Sequence, residues 1–288
     1  MREQVHSVPV GVPVAACEVA VGRPDCRLRG HVIGYSGFRS GARAPIAHRL
    51  LAVSSATLII DFGSASGLVT GPRSEHTTDG DTTWGHGVSV GLTPAGVAAL
   101  LGVPMGELAG ETVALSELMG PNATRLPSRL AAAPDWAARW ELLDLILGGA
   151  LGLEAPAQGS SAVPAPRAAG PDPAVVWAWR RLQEAGAPRV EAVAGEVGRG
   201  RRRLEREFRR DVGLSPGQVA RIARFQRAAA QLGGGAAPAA VAAGNGYADQ
   251  SHLTREMRVL AGVTPGELRV LFEEAGARLF KTGGRPGP

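Results

Sequence analysis

Seven arginines and two glutamates fall between Arg199 and Arg210. A guanidinium is planar, permanently charged, and presents paired N–H donors that fit phosphate oxygens or the O6/N7 edge of guanine. A second group of polar residues gathers at Gln250, Ser251, His252 and Arg255, with Arg258 one turn further on. A glutamine amide can satisfy adenine N6 and N7 in the same two-pronged way. These side chains suit gripping a polyanion and sorting its bases. Covalent chemistry has less to stand on: no nucleophile elbow, P-loop or GxGxxG turn leading into a helix is present, and no catalytic residue or cofactor is expected.

Such side chains work only if something holds them in register. Leu204 maps onto Leu253, Phe208 onto Met257, Gly213 onto Gly262 and Pro216 onto Pro265, a repeat of 49 residues. Each copy ends in the same kind of punctuation, GLSPGQ and GVTPGE. A glycine stops one helix, Ser215 or Thr264 caps the next, proline fills its first turn, and Gln218 or Glu267 closes a capping box. Upstream, Ala194 with Gly198 corresponds to Ala242 with Gly246 at a spacing of 48, so the extra residue lies in the turn. A small residue for close crossing, a glycine turn and a second helix make a helix-turn-helix pattern. On a helical wheel, Leu204 and Phe208 face inward while Arg202, Arg206 and Arg209 lie opposite; Leu253 and Met257 face inward while Ser251, Arg255 and Arg258 lie opposite. One charged helix face is commonly just solvated. Two in register behind glycine turns point to the major groove of DNA.

The strings VEAVAGEVG, RRRLEREFRRDVGLSP, ARFQRAAAQL and GYADQSHLTREMRVLAGVTPGEL, over Val190–Leu268, resemble the DNA-binding domain of the AraC/XylS family of transcription regulators. The resemblance implies two helix-turn-helix units joined by a long helix, Pro216–Leu232, that enter successive major grooves. It also implies that bases are approached by Arg201, Arg202, Glu205 and Arg206 in the first unit and by Gln250, Ser251, His252 and Arg255 in the second. With Arg209 from the wheel, Arg201, Arg202, Arg206, Arg209, Gln250, Ser251, His252 and Arg255 are the expected DNA-binding set. This chain departs from the family pattern at Gly200, where a capping side chain is usual, and at Arg199, Arg203 and Pro238. Leu28–Gly120 is similar, more weakly, to N-terminal domains of actinobacterial regulators, which implies ligand sensing or dimerisation.

The remaining sequence sets the frame. Apolar residues make up 44% of 288, enough for two packed cores, and Lys+Arg exceeds Asp+Glu by 5. That excess lies after Asp172; the rest of the chain sums to −1. Arg49–Val53, Ala56–Phe62 and Val88–Leu92 read as strands, and Thr93-Pro94 opens a helix through Leu101. Another helix is expected over Asp135–Leu151, with Trp136, Trp140, Leu143, Leu147 and Leu151 on one stripe. Helices then follow from Ala174–Ala185 to Pro265–Gly276.

The expected fold class is therefore an α+β N-terminal domain, strands first and helices after, joined to an all-α domain with two helix-turn-helix units. The divisions are a sensor or dimerisation domain at 1–153, a Pro/Ala/Gly/Ser linker at 154–172, a DNA-binding domain at 173–281 and a disordered tail at 282–288. Glu75, His76, Asp79, Asp81 and His86 cluster without the His-x-His spacing of a metal-binding strand, so no metal is expected. Asp61 in LIIDFG reads as a strand end. Cys17 and Cys26 are too few for a disulfide framework or a thiolate zinc site. No apolar run spans a membrane, and the first residues lack the apolar core of a secretory signal, so a cytoplasmic protein is expected. The expected partners are double-stranded DNA, an unidentified small-molecule effector, RNA polymerase and a second copy of the chain. The rival is a small-molecule-binding protein or metal-dependent enzyme whose helical part docks a partner.

Overall fold

The computed structural model describes residues 4–10, 18–40, 45–77, 82–153, 170–186 and 188–274. Its first half is built on β1 (Ser7–Pro9), β2 (Glu18–Gly22), β3 (Val32–Arg39), β4 (Ile46–Leu50), β5 (Ala56–Asp61), β6 (Ser66–Thr70), β7 (Thr83–Trp84), β8 (His86–Leu92) and β9 (Thr112–Ala114). Six strands form an antiparallel sheet in the order β2-β3-β8-β5-β6-β9; β1, β4 and β7 form a smaller second sheet. All six residues of β5 are buried, which is why ATLIID is a continuous run and not an alternation. The expected strand Arg49–Val53 lies three residues early, at Ile46–Leu50. Leu51 and Ala52 are buried coil, so burial outside a ladder produced their apolar signal.

Four α-helices complete this domain, the first before β9 and the others after it: α1 (Pro94–Leu101), α2 (Leu115–Met119), α3 (Leu126–Ala132) and α4 (Trp136–Leu151). Thr93 caps α1 and Asp135 caps α4, each accepting a backbone N–H three residues on. Helix α4 buries Leu143, Leu147 and Leu151, and its two tryptophans lie flat on strand glycines. A Cβ on Gly37 would fall 2.3 Å from the Trp136 ring, and one on Gly22 would fall 2.7 Å from Trp140. Tyr35 stacks on Trp140 at 5.6 Å and donates its hydroxyl to Asp144 at 2.8 Å.

The second half is all helical: α5 (Pro173–Arg181), α6 (Val190–Glu196), α7 (Arg201–Asp211), α8 (Pro216–Gly233), α9 (Pro238–Gly244), α10 (Gln250–Ala261) and α11 (Pro265–Glu274). Helix α5 stops at Arg181, short of the expected Ala185, because the next amides, Gln183 N and Glu184 N, bond back only three residues, to Arg180 O and Arg181 O. Asp172, expected in the linker, caps α5 and accepts from Arg199 at 2.7 Å. Residues 154–169 of the expected linker and the expected tail 282–288 lie outside the described residues. The chain thus has a strand-rich domain that ends in helices and an all-α domain with two helix-turn-helix pairs, α6–α7 and α9–α10.

The two halves meet along a hydrogen-bonded seam. Trp179, fully buried, donates its indole N–H to the Ser54 carbonyl at 2.9 Å. Gln226 accepts from Val5 N and donates to the carbonyls of Val5 and Ala52 at 2.7, 3.0 and 2.8 Å. The C-terminal carbonyls of α10 would otherwise lack partners. Leu260 O accepts from Ala52 N at 2.8 Å, Val259 O from both His76 N and Nδ1, and Gly262 O from Arg49 at 3.0 Å.

Gly213 and Gly262, the two stop signals of the repeat, both adopt positive φ, and both face the first domain. A Cβ on Gly213 would meet Ala109 at 2.5 Å, and one on Gly262 would meet the His76 ring at 2.8 Å. Replacing Gln226 with leucine should cost about 2–4 kcal/mol, because three backbone groups of the seam lose their partner at once. Urea denaturation measures this; a loss below about 0.5 kcal/mol would mean that the seam does not depend on this side chain.

Candidate nucleic-acid interface

Each expected reading helix is set by its apolar face. Leu204, Phe208, Leu253 and Met257 are all fully buried, and Val193 with Ala194 and Val241 with Ala242 supply the close crossings from α6 and α9. Gly198 and Gly246 turn the chain at φ +63° and +71°. Helix α8 joins the units; at 18 residues it is about 27 Å long. Its capping box is complete, with Ser215 and Gln218 each accepting the other's backbone N–H. Glu256 of α10 receives Arg221 of α8 through two bonds of 2.8 Å, with Arg224 at 3.4 Å. The Arg221 bonds hold the Glu256 carboxyl below the usual range. Arg224 also lies 4.7 Å above the Tyr247 ring. This pair ties the second unit to the connecting helix.

The seven arginines from 199 to 210 divide in two. Arg199 pairs with Asp172 and Glu207, Arg201 with Glu191 and Glu205, Arg203 with Glu207, and Arg210 with Asp211. Arg202, Arg206 and Arg209 are exposed and make no ion pair among the described residues. Their spacing of four and three places them on one stripe of α7. The sequence pattern gave no means of separating Arg201 from this group; its neighbours Glu191 and Glu205 do that.

In α10, Gln250, Ser251, Arg255 and Arg258 are exposed, and neither arginine has an ion pair among the described residues. His252 is half-buried, accepts from Ala248 N at 3.3 Å through Nδ1, and meets Tyr247 edge-on. Asp249 caps the helix by accepting His252 N at 2.6 Å. Helix α7 has no such cap, since Gly200 stands in that place. The eight expected residues therefore fall on two helices of matching construction. This is a double helix-turn-helix domain.

Residues 193–270 match a family model described as a helix-turn-helix domain. No curated protein matches the chain. Among solved structures, the chain is similar to apo ToxT from Vibrio cholerae, with 10% identity, TM-score 0.43, and coverage of 92% of this chain and 96% of that one. A second ToxT structure, at 1.65 Å, aligns with 12% identity, TM-score 0.39, and coverage of 89% and 98%. The xylose-binding transcription activator xylR aligns with 20% identity and TM-score 0.32 over 55% of this chain; the chain spans 39% of xylR.

The first domain contributes a cavity of about 210 Å³ between its two sheets. Val19, Val21, Ile33 and Ile59 line it with His6, His48 and Trp84. His48 stacks on Trp84 at 4.2 Å, and His6 Nε2 lies 2.7 Å from Thr70 Oγ1. His48 Nδ1 is buried with no hydrogen-bond partner among the described residues. Burial, reinforced by Arg73 and His48, pushes His6 down to about 3; burial pushes His48 down to about 4. Both rings are neutral at pH 7.

Metal-ligand geometry does not emerge from the polar cluster. No group of three His, Cys, Asp or Glu side chains suited to a metal ion occurs among the described residues. His76 reaches α10 instead, and Asp79, Asp81 and Cys17 lie outside the described residues. Asp61 ends β5. Although burial raises its carboxyl, hydrogen bonds from Ser64, Gly85 and His86 outweigh this and hold it low. Gly87–Gly91 spells GxSxG, but Ser89 sits mid-strand in β8, not on a strand-to-helix elbow. No helix among the described residues is long and apolar enough to cross a membrane.

The two cavity-lining histidines make stability depend on pH. Their folded values lie below 6.5, so the unfolded chain binds more protons and stability is lost as pH falls from about 6.5 towards 3. At pH 5 the loss should be about 2 kcal/mol for each ring. Urea midpoints at pH 7.5 and 5.0 measure it, and His6→Gln with His48→Gln should flatten the difference. An unchanged pH response in the double variant would show that these rings do not carry it.

Proposed function

We propose that the chain is a sequence-specific DNA-binding regulator of transcription of the AraC/XylS type. Its two units would occupy successive major grooves on one side of the duplex. The observation that carries this is the division of the arginines. Carboxylates neutralise Arg199, Arg201, Arg203 and Arg210, while the stripe of Arg202, Arg206 and Arg209 keeps its charge and exposure. The corresponding stripe of α10, with Ser251, Arg255 and Arg258, does the same. Phosphate contacts set the position of such a protein, and base contacts choose its sequence.

In this reading Arg202, Arg206 and Arg255 read guanine edges and Gln250 reads adenine. Arg209 and Ser251 grip phosphates, Arg201 is held back by Glu191 and Glu205, and His252 orients the start of α10. The apolar cavity of the first domain takes an uncharged effector with a hydrogen-bonding group opposite His48. Pairing into a homodimer would double the reading length, and contact with RNA polymerase would convert binding into output.

Selection from a random duplex library, followed by mobility shift on the selected site, tests the assignment. Arg206→Ala and Arg255→Ala should each weaken specific binding by about 1–3 kcal/mol and relax the preference at one position. Arg203→Ala, which removes an arginine already neutralised by Glu207, should change it little. Wild-type affinity in both Arg206→Ala and Arg255→Ala would overturn the proposal.

A further inference from the structure

The seam between the domains forms a second, open-mouthed cavity of about 500 Å³, with a chemistry opposite to that of the first. Arg29 reaches it from the strand-rich domain, and Arg180 and Arg227 from the helical domain. Glu184 is the one acidic side chain among the lining residues, and its carboxylate is held by Arg181 at 2.6 Å. Arg180 donates to the Gly30 carbonyl at 2.9 Å, which fixes its head across the seam without cancelling its charge. Arg29 is exposed and makes no ion pair among the described residues. Arg227 is positioned by the carbonyls of Gln183 and Glu184 at 3.3 Å.

The glutamines of the cavity are engaged elsewhere. Gln226 is spent on Val5 and Ala52, while Gln183 accepts from Gln4 and Ser54 and donates to the Trp179 carbonyl. Their amides are already spent, and the guanidinium groups are the recognition elements of the cavity. Drug-sized and metabolite-sized ligands occupy cavities of this order. Planar guanidinium groups bind carboxylate and phosphate through paired, charge-assisted bonds. Arg29 and Arg180 alone carry two positive charges, more than a single carboxylate answers.

We propose that this cavity binds a small multivalent organic anion, a polycarboxylate or a phosphate ester, that bridges the two domains. Because both domains supply arginines, the bound anion favours the docked arrangement over any separated one. The seam also holds the C-terminal end of α10, so the anion would steady the second reading helix from the side remote from its exposed stripe.

Calorimetric titration of the full chain with citrate and, separately, with inorganic pyrophosphate, at constant ionic strength, tests this. At least one should bind with one-to-one stoichiometry and a sub-millimolar Kd. Arg29→Gln and Arg180→Gln should each weaken it about tenfold or more, whereas Arg202→Gln, on the exposed stripe of α7, should leave it unchanged. Citrate alone would assign the polycarboxylate class and pyrophosphate alone the phosphate class; binding of both would assign their shared charge. In parallel, the anion should raise the melting temperature of wild type but not of Arg29→Gln. No saturation by either anion below about 10 mM overturns the proposal. So does binding that survives in Arg29→Gln and is lost in Arg202→Gln, which would place the anion on α7.

Discussion

A helix offers its side chains a fixed set of directions, and burial of two residues is enough to choose among them. With Leu204 and Phe208 sealed against α6 and α8, the arginines of α7 cannot rotate away from solvent without exposing the core. Leu253 and Met257 impose the same restriction on α10. Everything offered outward by the helical domain follows from those four apolar contacts. A polar residue at Phe208 would therefore do more than weaken packing; it would release the direction in which Arg202, Arg206 and Arg209 point.

Direction alone does not make a charged face useful, because an arginine whose charge is already answered has little left for a partner. In α7 the glutamates answer that charge selectively. Glu205 and Glu191 hold Arg201, and Glu207 serves both Arg199 and Arg203. The stripe at Arg202, Arg206 and Arg209 is left exposed and without an ion pair among the described residues. The two units differ in the remainder. The first concentrates charge and lacks a side-chain cap, whereas the second has fewer cations, a firm Asp249 cap and a short polar run at its start. In the proposed reading, the first unit supplies electrostatic grip and the second selects among bases.

Local chemistry made the helical domain readable in advance. Capping boxes, glycine turns and the 49-residue repeat act within a few residues of one another, so the order of α6 to α10 and the outward stripes were legible. The strand-rich domain was legible only in outline. The apolar run at Arg49–Val53 mixes strand with buried coil, and no local pattern separates the two. The seam was invisible for a related reason. Gln226 bonds residues 221 and 174 positions away, and Trp179 bonds one 125 positions away. One signal was available: Gln226 interrupts the buried stripe of Ile222, Phe225 and Ala229 on α8, and a polar residue at a core position has to find partners.

The same two glycines that end the reading helices are the points where the first domain touches them, and this links the repeat to the rest of the chain. Gly213 and Gly262 occupy equivalent places, and neither has room for a side chain, because Ala109 in one case and His76 with Arg49 in the other stand against them. The strand-rich domain thus holds the C-terminal ends of both reading helices while their outward stripes stay open to solvent. Within that domain, β4 carries His48 towards the apolar cavity and, at the next residue, Arg49 towards Gly262. A strand alternates its faces, so His48 on the cavity side and Arg49 on the α10 side belong to one short segment, β4. The repeat supplies two reading helices and the seam fixes their ends; the spacing between them is consequently a property of both domains together.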